Sequence, residues 1–301
     1  MLLITVMIID PKKYKPSEFH AYMLGAVAPR PIAFASTVDK EGNPNLSPFS
    51  FFNAFGSNPP LLIFSPALSG RTGATKHTLD NIREVDEVVI NVVSYAMVQQ
   101  ASLASSEYSK GVNEFVKAGF TPVESTLIKP FRVKESPVQM ECKVTQIIQT
   151  GVRGGAANLV VCEILLMHIN DDVLDASQKI DPLKIDQVAR MGGSWYTRAA
   201  KGLFEVPKPV AAAGMGVDTL PVTVRNSKIL SGNDLGLLGN IHQFPSEEAL
   251  KVYEERADVK KLTDALKENP ADKEMILHLA AKQLLAEGKA EEALMLLISL
   301  S

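Results

Sequence analysis

The 301-residue chain has little cysteine, one tryptophan, few aromatic residues and no block of like charge. Its two cysteines, Cys142 and Cys162, lie in separate apolar runs with no CxxC pair and no partners at zinc-site spacing. That pattern argues against a disulfide scaffold or a zinc ribbon and predicts two buried, reduced thiols, with a cross-strand disulfide as the other arrangement. A formal net charge of -3 without a Lys/Arg-rich run removes the electrostatic footprint of a nucleic-acid binder. The apolar start MLLITVMII stops at Asp10-Pro11, too short for a bilayer and lacking a basic n-region or cleavage site. It reads as a strand, with no membrane partner and the cytoplasm as the expected location. No GxGxxG follows a strand, SGRTGATKHT lacks the GK[ST] ending of a phosphate loop, and the five histidines form no HExxH. No serine elbow appears either. These absences disfavour a Rossmann dehydrogenase, an ATPase, a metallohydrolase and a triad hydrolase.

Hydrophobic residues at 46% and charged residues at 22% describe a globular chain with room for one large domain and an appendage, or for two domains. IAFASTV (32–38) reads as a strand and DKEGNPN as the turn of a hairpin. LLIFS (61–65) and EVVINVVS (87–94) are dense apolar runs suited to buried strands, and Leu79, Ile82 and Val85 between them have helical spacing. VQMECKVTQ (138–146) alternates, with Val138, Met140, Cys142 and Val144 on the packed face and Gln139, Glu141 and Lys143 facing water or a second sheet. ANLVVCEILLMHI (157–169) pairs with it across GVRGG. The fold class is therefore mainly β with α insertions, an antiparallel barrel followed by a small all-α extension.

Three segments follow from the pattern: a barrel domain over 1–205, a linker or wrapping arm over 206–245, and helices over 246–301. The middle segment mixes Pro, Gly and Ala without sustained periodicity. Beyond it, Leu262 and Leu266 repeat at four residues, Asn269-Pro270 marks a cap, and Ile276, Leu277, Ala280 and Leu284 form a stripe that ends at Gly288. HLAAKQLLAEGKAEEALMLLISL resembles one tetratricopeptide-type hairpin. A lone hairpin cannot bury its own face, so it must pack on the main domain, another subunit or a partner protein.

RPIAFASTVDKEGNPNLSPFSFFNAFGSNPPLLIFSP (30–66) holds six phenylalanines and six prolines beside small hydroxyl residues. Ser36, Thr37, Ser47, Ser50 and Asn53 offer short hydrogen-bonding groups, and Phe51 and Phe52 offer walls. Downstream, Gly70, Arg71, Gly73, Thr75, Lys76 and Thr78 precede the predicted helix, where free N–H groups, a cation and a hydroxyl can converge on one phosphate. An aromatic, phosphorylated ligand suits this combination. An ordinary β-core with a Ser/Thr-rich edge suits the composition equally.

GAVAPRPIAFASTVDKEGNPNLSPFSFFNAFGSNPPLLIFS, KHTLDNIRE, EVVINVVS and RMGGSWYTR together resemble the flavin reductase-like family of FMN-binding split barrels, which includes flavoredoxin-type proteins, over roughly residues 8–205. The resemblance implies a homodimer that binds FMN, takes a hydride from NAD(P)H and passes electrons to a small acceptor or free flavin. It implies that Ser36 and Thr37 contact the flavin, that Ser50 to Asn53 line its ring, and that Arg71, Lys76 and Thr78 hold its phosphate. The family's Lys-Asp-Thr is here Lys76-His77-Thr78, which alters the loop. Asn91 serves either a ribityl hydroxyl or the main chain. Tyr196 or Trp195, in a signature with Arg190, Gly192 and Gly193, covers a flavin face or the dimer seam, and Arg30 anchors structure. A noncatalytic electron carrier, and a scaffold whose helical tail recruits a protein, are the alternatives.

Overall fold

The computed structural model describes residues 6–206 and 213–300. The chain divides into two compact units, one ending at Phe204 and the other starting at Glu205. The first unit carries β1 (Ala33–Val38), β2 (Pro44–Phe49), β3 (Phe52–Ser57), β4 (Pro60–Phe64) and β5 (Glu87–Val92). A small ribbon of β6 (Pro122–Val123) and β7 (Arg132–Val133) follows, then the long pair β8 (Val138–Gln149) and β9 (Asn158–Ile169), and a second ribbon of β10 (Val188–Gly192) and β11 (Trp195–Arg198). Its helices are α1 (Pro16–Ala26), α2 (His77–Glu84), α3 (Val98–Leu103) and α4 (Glu114–Ala118).

Seven strands form one antiparallel sheet in the order β2-β1-β5-β8-β9-β4-β3. β2 and β3 are therefore opposite edges, yet only Ser50 and Phe51 separate them in the chain. Laid flat, the edges would stand roughly 29 Å apart at about 4.8 Å per strand. The two-residue link reaches about 10 Å. The sheet must curl until its edges meet, which produces a split barrel. Inside lie Ala33, Ala35, Phe64, Ile90, Met140 and Cys162, capped by Leu79 and Ile82 of α2. The opposite face of β1 and β2 places Phe34 and Leu46 against Met97, Ala101 and Phe115.

β8 buries Val138, Met140, Cys142 and Val144 as its alternation predicts. Gln139 and Glu141 are buried too, contrary to the expectation of a wet face there. The β6–β7 ribbon and the loop joining its strands cover them: Arg132 Nη1 donates to Gln139 Oε1 (2.8 Å), and the N–H groups of Thr126 and Leu127 donate to Glu141. Cys142 and Cys162 are free and buried. Burial pushes both thiols up, Cys162 to about 12, so neither is a ready nucleophile. The strand read at the start is absent over residues 6–10, where Val6, Met7 and Ile8 are exposed; residues 1–5 lie outside the described residues.

The second unit contains α5 (Val222–Arg225), α6 (Gly232–Gly239), α7 (Glu247–Glu254), α8 (Ala257–Glu268), α9 (Lys273–Ala286) and α10 (Ala290–Ser299). The α9–α10 hairpin turns at Gly288, whose φ of +76° favours a residue without Cβ. Leu277, Ala281 and Leu285 form the fully buried stripe of α9 and meet Ala293, Leu294 and Leu297 of α10. Ile276, Ala280 and Leu284, read as part of that stripe, are only partly buried. The hairpin is completed within its own unit. Leu220, Val224, Leu230 and Leu238, all inside the segment read as a linker, close its apolar face together with Tyr253 and Val259. Glycine and proline hid this, because α5 and α6 are too short to show a helical period; residues 207–212 lie outside the described residues.

Candidate functional site

The loop before α2 is folded by its own backbone. Gly73 N–H donates to Ser69 O (2.8 Å) and Ser69 N–H to Ala74 O (2.9 Å), with Gly73 at φ +73°. The GVRGG turn braces this loop from outside. Leu68 N–H donates to Ala156 O and Gly155 N–H to Leu68 O, and a Cβ on Gly154 would stand 2.8 Å from Ser69 O. The glycines between β8 and β9 therefore set where the loop lies.

α2 forms because Leu79 and Ile82 bury against the barrel interior. It begins without a side-chain cap, and its first two residues, His77 and Thr78, line a hollow of about 220 Å³. Arg71 and Lys76 line the same hollow, and both pair with one carboxylate, Glu107, Lys76 at 3.8 Å. Glu107 thus neutralises both cations in a hollow that the uncapped start of α2 also lines. Deeper in, Thr78 Oγ1 donates to Asn45 Oδ1 (2.7 Å) and Asn45 Nδ2 donates to Glu114 Oε1 (3.1 Å). Leu46 N–H donates to Glu114 Oε2 (3.1 Å). Burial pushes the Glu114 carboxyl above its usual range, against the opposing pull of these donors.

Ser105 also lines a second hollow of about 220 Å³, so the two adjoin as one groove. Ile32, Pro48, Val98 and Ala101 give this end apolar walls, and Ser50 and Ser102 give it hydroxyls. Tyr196 closes it, with the Arg190 guanidinium 4.6 Å from its ring centre. Gly192 and Gly193 have φ of +122° and +52°, and Arg190 Nη2 donates to Gly193 O (2.6 Å), which fixes the β10–β11 turn beside it.

The groove gathers Ser47, Arg71, Lys76 and Thr78 at its polar end, and Ser50 and Tyr196 at its apolar end. Other expected residues fall elsewhere. Ser36 and Thr37 are fully buried in β1; Thr37 Oγ1 accepts from Asn81 Nδ2 (3.2 Å), and Ser36 Oγ has no protein partner. Phe51 meets the His20 ring edge-on at 6.0 Å, and Phe52 packs on the barrel interior. Asn53 is exposed on edge strand β3, its Oδ1 accepting from Ala54 N–H. Asn91 serves the main chain: its Nδ2 donates to Phe34 O and its Oδ1 accepts from Val133 N–H, each at 3.0 Å. Arg30 donates to Leu24 O and Val27 O, a structural role as expected. Residue-type reasoning missed Asn45, Ser105, Glu107 and Glu114. Asn45 sits in what reads as turn sequence. The other three come from the SSEYSKGVNE stretch, whose small polar residues look like ordinary loop.

Residues 24–185 match the flavin reductase like domain. The chain belongs to that family. An uncharacterised protein of Aquifex aeolicus is 36% identical over 189 residues, spanning 62% of this chain and 93% of that protein. Among solved structures, nitrilotriacetate monooxygenase component B from Bacillus cereus superposes with a TM-score of 0.63 at 26% identity, over 67% of this chain and 99% of its own. The 2-nitrobenzoate 2-nitroreductase NbaA of Pseudomonas fluorescens gives 0.59 at 27% identity, over 69% and 100%. Membership in this family makes the chain a flavin-related oxidoreductase with a flavin cofactor. The groove's donor set fits such a group, with cations and an uncapped helix start at one end and apolar walls with a tyrosine at the other. Among the described residues, no helix is long and apolar enough to cross a membrane, and no cluster of His, Cys, Asp or Glu is arranged to hold a metal ion.

Proposed function

We propose that this protein is an FMN-dependent NAD(P)H oxidoreductase of flavin reductase type, passing electrons to a small acceptor or to free flavin. The observation that carries this reading is the pairing of Arg71 and Lys76 with a single carboxylate at the mouth of α2. Two cations beside an uncapped helix start suit a phosphate in place of the Glu107 carboxylate, which favours FMN over riboflavin in this reading. Arg71, Lys76 and the N–H groups of His77 and Thr78 would hold the phosphate. Ser47 lines the polar end and Ser105 the middle of the groove, and Ser50, Pro48 and Tyr196 shape the ring end. When bound, FMN supplies the hydride-accepting and electron-passing chemistry, so the protein need only bind, orient and exclude water.

A homodimer belongs to this reading. β9 exposes Leu165 and Met167 at alternate positions and β3 exposes Phe55, apolar surface that a second copy can cover. A cytoplasmic location accords with the two unpaired thiols. In the helical unit, α9 exposes Met275 and Leu279 one turn apart, a place for a protein partner.

The test is the visible spectrum of the purified protein mixed anaerobically with FMN and then with NADH or NADPH. Saturable FMN binding followed by bleaching of the flavin band by a nicotinamide at a rate above that of free FMN is expected. Binding without bleaching would reduce the protein to an electron carrier, and failure to bind any flavin would refute the reading.

A further inference from the structure

A second cavity, of about 490 Å³, opens beside the β6–β7 ribbon and shares no lining residue with the groove. Arg132, Lys134 and His168 bring nitrogen to it, Val123 and Ile169 bring apolar surface, and no carboxylate is among its lining residues. Behind its wall is the least expected group in the barrel, the fully buried carboxylate of Glu141. Glu141 accepts from Thr126 N–H (2.8 Å) and Leu127 N–H (2.7 Å) and lies 2.7 Å from His168 Nε2, with Arg132 Nε at 4.0 Å. A charge removed from water in this way demands such partners. The consequence is that His168 is held by a rigid acceptor on β8, with the Arg132 guanidinium beside it.

Arg132 is a preformed fork. Its Nε and Nη2 donate to Glu124 O (3.1 and 3.0 Å) and its Nη1 to Gln139 Oε1 (2.8 Å). A guanidinium has five N–H donors, so one N–H on each terminal nitrogen is left uncommitted. Lys134 has no carboxylate partner among the described residues, and Asn170 leaves its amide donors unused while its Oδ1 accepts from Asp172 N–H. Arg132, Lys134 and Asn170 thus leave donors at the opening, with Val123 and Ile169 as its apolar surface, while the Glu135 carboxylate at its edge is taken by Thr121 N–H. The volume lies in the range of small-molecule sites and is far above what a bare ion needs.

We propose that this cavity is a second ligand site, taking a small organic carboxylate whose two oxygens meet the Arg132 fork, with Lys134 as the neighbouring charge and Val123 and Ile169 against the ligand's apolar part. Glu141 keeps the His168 ring in place, while Glu124 O and Gln139 Oε1 keep the fork in place. The site is independent of the flavin groove.

Isothermal titration of the full-length protein with benzoate, with and without FMN, tests it, using inorganic phosphate as the tetrahedral control. One benzoate per chain is expected, undisturbed by FMN. Arg132→Lys, which keeps the charge but loses the fork, weakens benzoate on the order of tenfold or more. Lys134→Ala, at an exposed position that cannot threaten folding, weakens it by about fivefold, and both variants bind FMN as the parent does. The proposal is overturned by an absence of benzoate binding, by variants that bind it unchanged, by competition from FMN, or by phosphate binding as tightly as benzoate.

Discussion

Replacing Glu107 by glutamine should tighten FMN while leaving riboflavin alone. In the structure this carboxylate is the counter-ion of both Arg71 and Lys76, and an incoming phosphate must displace it. The three side chains are 59%, 76% and 40% exposed in that order, so their attraction takes the solvent-screened end of the Coulomb range. At about 0.2–1 kcal/mol per exposed pair, two pairs cost the ligand about 0.4–2 kcal/mol. That corresponds to roughly a two- to thirtyfold gain in FMN affinity for Glu107→Gln, at about 1.4 kcal/mol per decade. Quenching of flavin fluorescence on binding reads both ligands in the same assay. Riboflavin has no phosphate and should shift by less than about twofold, the low end of the two-pair sum. A fall in FMN affinity would show that Glu107 organises the two cations instead of competing for them. An equal shift for both flavins would show that the phosphate is bound elsewhere.

Gly154→Ala places a methyl against Ser69 O and Gly70 O, and overpacking of that kind costs about 1–3 kcal/mol; we expect a lower melting temperature and weaker FMN binding, with riboflavin less affected, read by the same titrations. Burial raises the folded-state carboxyl of Glu114, so the folded protein holds a proton that the unfolded chain has lost. Stability should therefore fall as pH rises from the unfolded value of about 4.3 through the folded one, and urea unfolding across that window should show the slope flattened in Glu114→Gln. Leu294 is fully buried between α9 and α10, and Leu294→Ala should cost the helical unit about 2–5 kcal/mol in chemical denaturation; a change below 1 kcal/mol would mean that this hairpin is not packed as described.

Much of the barrel can be read from local pattern. β1, β4, β5, β8, β9 and α2 fall where apolar periodicity places them, because each is long enough to show its period, and β1, β4, β8 and β9 are also flanked by Gly, Pro, Asn or Asp. The closure is not local, since it depends on pairing between β4 and β9 across about a hundred residues. Site residues divide along the same line. Arg71 and Lys76 are legible because a cation, glycines and a helix start adjoin in sequence. Glu107 and Ser105 reach the same hollow from a loop some thirty residues on, and nothing in SSEYS announces it. Phe51, Phe52 and Asn53 are harder to place: composition says aromatic wall and a polar amide, but one residue of register decides which side chain faces a groove, the interior or solvent. Asn91 reads equally as a ligand contact and as a partner of the main chain, and only the tertiary fold shows Phe34 and Val133 using both its ends.

The helical unit draws about a third of its stuffing from residues before Ser246, and this has a practical bearing on how the protein can be dissected. Severing the chain where its periodicity begins would discard Leu220, Val224, Leu230 and Leu238 and leave α9 and α10 with greasy, unroofed flanks. A fragment meant to retain that bundle has to be cut upstream of Met215, whose side chain is the first described apolar one to join it.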